Sequence, residues 1–144
     1  MEPFLNWKII VIYAFVLLLV GVASGIFGLQ PTSHSFDAVL HSYVLNQFVS
    51  ILVNIAIFAH ISYKIDYRPF AHALLALLLS NGVALAMLQF FQSSLGAQLT
   101  TIEVTLVQMF EFLLMVFALL IGVKFGISLK RRKLLKAVGE ECVK

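Results

Sequence analysis

The chain is short of charge. Asp, Glu, Lys and Arg make up 12% of its 144 residues, where a soluble domain carries roughly a quarter. That is too little to cover a water-facing surface. Cysteine is nearly absent: the single Cys142 excludes an intrachain disulfide and any multi-cysteine metal site. No GxSxG, HExxH, glycine-rich phosphate loop or CxxC occurs, so no catalytic residue and no cofactor is expected, and an enzyme is disfavoured. The Cys pairs of membrane thiol oxidases, the Arg/Asn signature of membrane glutathione transferases and the Gly/Asn-rich core of small fluoride channels are also missing.

Hydrophobic residues are abundant, at 61%, and they fall into four runs near the 20 or so residues that a helix needs to cross a bilayer. The spans cover about 8–28, 44–64, 70–92 and 101–128, and the second has room to begin a turn or two earlier. Turn chemistry separates them: Gln30-Pro31-Thr32-Ser33, Asp66-Tyr67-Arg68-Pro69 and Ser93-Ser94-Leu95-Gly96. The apolar run Ile9 to Leu29 exceeds the h-region of a signal peptide, although Gly21, Ala23, Ser24 and Gly25 resemble a cleavage region. The expected fold is all-α: one integral membrane domain over 1–144, a bundle of four transmembrane helices with antiparallel neighbours and a short basic tail at 129–144.

Charge placement sets the expected orientation. Six of the ten basic residues lie from Lys130 onward. Directly after an apolar run, such a cluster reads as a cytoplasmic anchor rather than a nucleic-acid patch. With both termini inside, Lys8, Lys64, Arg68 and the C-terminal cluster fall on the cytoplasmic side. The connections at about 29–43 and 93–100 hold no Lys or Arg. The expected location is a plasma membrane, of the bacterial inner-membrane kind. The expected partners are the lipid bilayer and a membrane protein or further copies of the chain, with no nucleic acid.

Small residues mark packing faces. Gly21 and Gly25 form one GxxxG element, extended by Gly28, and Gly122 and Gly126 form a second. The two lie at opposite depths, so each needs a different neighbour. Ala76, Ser80 and Ala84 make a small-residue series on the third span.

Polar residues within the spans are the main functional signal. Glu111 lies in the fourth span, where an unpaired carboxylate costs at least a few kcal/mol. It is therefore expected to face the bundle interior, to be protonated, or both. Thr101, Thr105, Gln108, Glu111, Met115, Ala118 and Gly122 follow helical steps of three and four. Gln47, Ser50 and Asn54 make a matching stripe on the second span, and Asn81 lies near the middle of the third. These residues predict either a polar pocket or ion- or proton-coupling site opening outward, or interhelical hydrogen bonds that fix the bundle. Glu111 is expected to point toward Asn54 and Asn81.

The histidines give weaker signals. His60 and His72 lie at similar depth and offer a pair of haem ligands, but adjacent helices about 8–10 Å apart leave little room for haem. His34, Asp37 and His41 are weak metal candidates in the outer connection. The leading expectation is an accessory, regulatory or immunity-type protein acting on another membrane protein through helix contacts. A small oligomeric transporter or channel centred on Glu111 is the alternative, and a haem or quinone subunit using His60 and His72 is a third.

Overall fold

The computed structural model describes residues 5–32, 35–95 and 101–141, with side chains at 5–24, 26–32, 35–91, 93 and 108–135. Its regular elements are four α-helices: α1 (Trp7–Phe27), α2 (Phe36–Lys64), α3 (Pro69–Leu95) and α4 (Thr101–Glu141). Each contains a stretch long and apolar enough to cross a membrane, which makes this a multi-pass membrane protein.

Local chemistry explains the helix starts. The Asn6 side chain accepts from the Ile9 N–H and caps α1, while Ser35 accepts from the Ala38 N–H and caps α2. Asp37 lies in the first turn of α2, the favourable end of the helix dipole for an acid. Pro69 opens α3, where its missing N–H costs nothing. Arg68 just before it takes a left-handed φ of 47°, a conformation that costs an L-residue roughly 1–2 kcal/mol. Its carbonyl is well used, accepting from the N–H groups of Ala71 and His72.

Two helices extend beyond the apolar runs. α2 begins at Phe36 rather than near Val44, so it takes up most of the outer connection. α4 continues to Glu141, through Lys130-Arg131-Arg132-Lys133. The basic segment is thus helical, as its Leu, Lys, Arg and Ala content favours.

The closest helix pairs are α2 with α4 and α1 with α3, alternate rather than consecutive helices; among the described residues α1 and α4 do not meet. α2 and α4 run in the same direction with a constant offset of 64 residues: Gln47 meets Glu111 and Asp66 meets Lys130 at its two ends. Between them, a Cβ on Gly122 would touch the Phe58 Cβ at 2.7 Å and the Ile55 carbonyl at 2.6 Å, and one on Gly126 would meet Ala59 and Ser62. Glycine is required here because two helix backbones are nearly in contact. In the first GxxxG element Gly21 has no such role: a Cβ there would find nothing within 4 Å.

One end of the bundle gathers Lys8, Lys64, Arg68 and Lys130, and is called the basic end below. The α1 and α3 starts are tied there by a hydrogen bond from the Asn6 N–H to His72 Nε2, at 3.0 Å. The buried core also lies toward this end: Ile10, Ala14 and Leu17 from α1, Phe58 and Ile61 from α2, Ala73, Ala76 and Leu77 from α3, and Ala118, Leu119 and Val123 from α4.

Candidate functional site: a polar cleft between α1, α2 and α4

Toward the other end the helices part. Because α1 and α4 do not touch, α2 is left with a face that neither covers. The gap is a cleft of about 420 Å³, lined by α1 from Gly21, by the first half of α2 and by α4 from Glu111 to Ala118. Along α2 it reaches from Val39 to Asn54, fifteen residues or about 22 Å of helix.

Glu111 is half-buried on one wall. Its Oε1 accepts from Gln47 Nε2 at 2.9 Å and from the Tyr43 hydroxyl at 3.4 Å. The α2–α4 register brings this about, placing Gln47 level with Glu111 and Tyr43 one turn away. Of the rest of the α4 stripe, Ala118 is buried and Gly122 is buried against α2, while Phe110, Leu113, Phe117 and Leu120 on the far side are exposed; Thr101 and Thr105 lie outside the described side chains.

The floor is Asn54, only 2% exposed. Its Nδ2 donates to the Ser50 carbonyl at 2.8 Å and lies 3.3 Å from the Ser50 hydroxyl. Its Oδ1 is buried and accepts no hydrogen bond. A buried carbonyl oxygen without a donor costs about 1–3 kcal/mol, so the floor holds an unmet demand for a donor. At the mouth, Asn46 clasps the end of α1: the Leu29 N–H donates to Asn46 Oδ1 at 2.8 Å, and Asn46 Nδ2 donates to the Leu29 carbonyl at 3.0 Å. Gly28 lets the chain pass this clasp, since a Cβ there would lie 2.9 Å from Asn46 Nδ2.

Four of the six polar residues assigned to a pocket from the sequence therefore share this cleft: Glu111, Gln47, Ser50 and Asn54. Glu111 bonds to Gln47 rather than to Asn54 or Asn81. Asn81 and Gln108 line a different space, a largely apolar crevice of about 840 Å³ between α3 and α4 that Glu111 also borders. Asn81 returns its amide to the Leu77 carbonyl of its own helix, at 3.0 Å. Of the glycines, Gly21 and Gly28 line the cleft and Gly122 and Gly126 lie in the α2–α4 contact. Gly25 is within α1, but its surroundings lie outside the described side chains. Tyr43 and Asn46 were not anticipated from the sequence. Tyr43 stands four residues before Gln47, so extending that stripe by one turn would have found it. Asn46 carries no such periodic signal.

The histidines do not form a pair. Because the Asn6 N–H can only donate, His72 Nε2 must accept. Nδ1, 3.0 Å from the Arg68 carbonyl, then carries the proton and donates. Both ring nitrogens are engaged, which leaves His72 none for a haem iron. The His60 ring instead lies 6.1 Å from that of Tyr13. Asp37 and His41 are exposed, one turn apart on α2, while His34 lies outside the described residues. Among those residues no group of three His, Cys, Asp or Glu side chains is placed to hold a metal.

Compared with protein families, curated proteins and solved structures, the chain matches none of them.

Proposed function

We propose that the protein binds a small polar solute in the cleft and belongs to the transporter or channel class, with Glu111 as its coupling or selectivity group. The observation that carries this reading is the Asn54 carbonyl oxygen, buried without a donor at the floor of a cleft that also holds an intramembrane carboxyl. A cleft that only fixed helix register would satisfy its own polar groups. In the proposed topology consecutive helices are antiparallel, both termini are cytoplasmic and the cleft opens to the outside of a plasma membrane, of the bacterial inner-membrane kind. The Lys and Arg distribution supports that orientation.

A thermal-shift screen against small polar solutes tests the binding reading. A ligand at a hundred times its Kd stabilises the folded state by about 2.7 kcal/mol. A true ligand should stabilise the wild type but not Gly21→Leu, whose side chain would fill the open space beside the cleft. The reading fails if every stabilising solute acts equally on both proteins. Topology is tested by introducing Ser94→Cys or Ser128→Cys in a Cys142→Ser background and labelling intact cells with an impermeant thiol reagent. Labelling at 94 and not at 128 is expected.

A second reading rests on the α3–α4 crevice. Gly82 lines it with nothing within 4 Å of a Cβ, and Leu78, Leu85 and Leu113 are exposed around it. An accessory, regulatory or immunity-type protein would receive a helix of another membrane protein there. Gly82→Leu would then abolish co-purification of that partner, while the solute reading expects no effect on binding.

A further inference from the structure

Most donors on the cleft wall are already committed; the Ser50 hydroxyl, which accepts from Asn54, and the Gln30 amide at the mouth are exceptions. Ser24 and Ser42 give their hydroxyl protons back to the Val20 and Ala38 carbonyls, at 2.8 and 2.9 Å. Tyr43 and Gln47 donate to Glu111, and Asn54 donates to Ser50. What these side chains have left to offer is chiefly oxygen lone pairs.

Charge points the same way. Glu111 is the one charged residue among the described lining residues, and no Lys, Arg or His accompanies it. Lys124, the next cation along α4, is thirteen residues or about 20 Å away. An anionic ligand would meet a carboxyl with no cation to offset it, whereas a cation would complete a charge-assisted hydrogen bond. The shape excludes a bulky ligand: about 420 Å³ spread over about 22 Å of helix is room for a chain, not a globe. Finally, Asn54 lies seven residues past Gln47, about 10 Å further along α2, and its unpartnered oxygen needs a neutral donor.

We infer that the cleft takes a slender organic cation, a primary ammonium seated at Glu111 with its chain running along α2 and a neutral O–H or N–H group donating to Asn54. This rests on the reading of the cleft as a solute site. A dication fits less well, because its second charge would be buried at Asn54 with no counter-ion.

Calorimetry on the full chain in nanodiscs tests the inference with matched six-carbon probes: 6-amino-1-hexanol, n-hexylamine, 1,6-hexanediamine, 1,6-hexanediol and 6-hydroxyhexanoate. The amino alcohol should bind about tenfold or more tighter than the diol, the value of one charge-assisted bond. It should also outrank the diamine, and the carboxylate should not bind. Glu111→Gln should bring the amino alcohol to the level of the diol. Asn54→Ala should erase its advantage over n-hexylamine, and Gly21→Leu should abolish binding. The probe ranking on the wild type decides the matter even where a variant fails to fold. If the diol or the carboxylate binds as tightly as the amino alcohol, and Gly21→Leu removes that binding, the cationic inference is overturned while the solute cleft stands. Amine binding that survives Gly21→Leu, or no binding of any amine, also overturns it. If the solute screen is negative as well, the cleft reading falls too.

Discussion

The two ends of the bundle are built to different standards of closeness. At the basic end, α2 and α4 approach until glycine is the only residue that fits at 122 and 126, His72 uses both ring nitrogens, and Asp66 pairs with Lys130. At the opposite end, Gly21 and Gly82 have open space above them, Asn54 keeps an unpaired oxygen, and two gaps flank α4. Small residues seal one end, while at the other Gly21 and Gly82 leave room and Gly28 is closely packed at the Asn46 clasp. The third helix shows this within one series: Ala76 and Ser80 are buried, and Ala84 is exposed beside the crevice. Close packing thus supplies the frame, and its absence leaves the cleft and the crevice.

Substitutions can break this contrast. The largest effect is expected from Gly126→Leu, which drives a side chain into Ala59 and Ser62 and should cost about 3 kcal/mol or more. Gly82→Leu at the open end should leave thermal unfolding in detergent close to wild type. Equal losses at the two positions would end the distinction. Next comes Glu111→Ala, which strands the Gln47 amide and the Tyr43 hydroxyl and should cost about 1–3 kcal/mol. Glu111→Gln should keep most of that stability in the same measurement and lower amino-alcohol binding to the level of the diol. His72→Ala removes the acceptor for the Asn6 N–H and should cost about 1–2 kcal/mol, with hydrogen exchange rising first at the start of α1. Asp66→Ala should be smallest, at most about 1 kcal/mol, because the Asp66 side chain is 86% exposed.

The four helices were legible because length and apolarity alone decide whether a segment can span a bilayer. Their partners were less so. These helices are apolar on nearly every face, and without a polar side the hydrophobic pattern does not say which way a helix turns. The depth of Asn81 could be read from its place in the third span, but its azimuth could not, and the structure turns it into the crevice rather than the cleft. Gln47 and Glu111 were matched correctly in depth. Their direct bond follows from the α2–α4 register, which is set by Gly122 and Gly126 some distance away. The extension of α4 through the basic segment was hidden for another reason: the hydropathy signal stops where the helix does not.

That extension gives α4 mechanical properties that its apolar part alone lacks. As one 41-residue helix it is about 62 Å long, roughly twice the hydrocarbon thickness. Its contact with α2 covers about 28 Å of that length, from Glu111 on Gln47, through Gly122 and Gly126, to Lys130 against Asp66. Two rods joined at both ends and in the middle resist bending as one beam, so the segment that carries Arg131 and Arg132 projects from a stiff pair rather than from a lone helix.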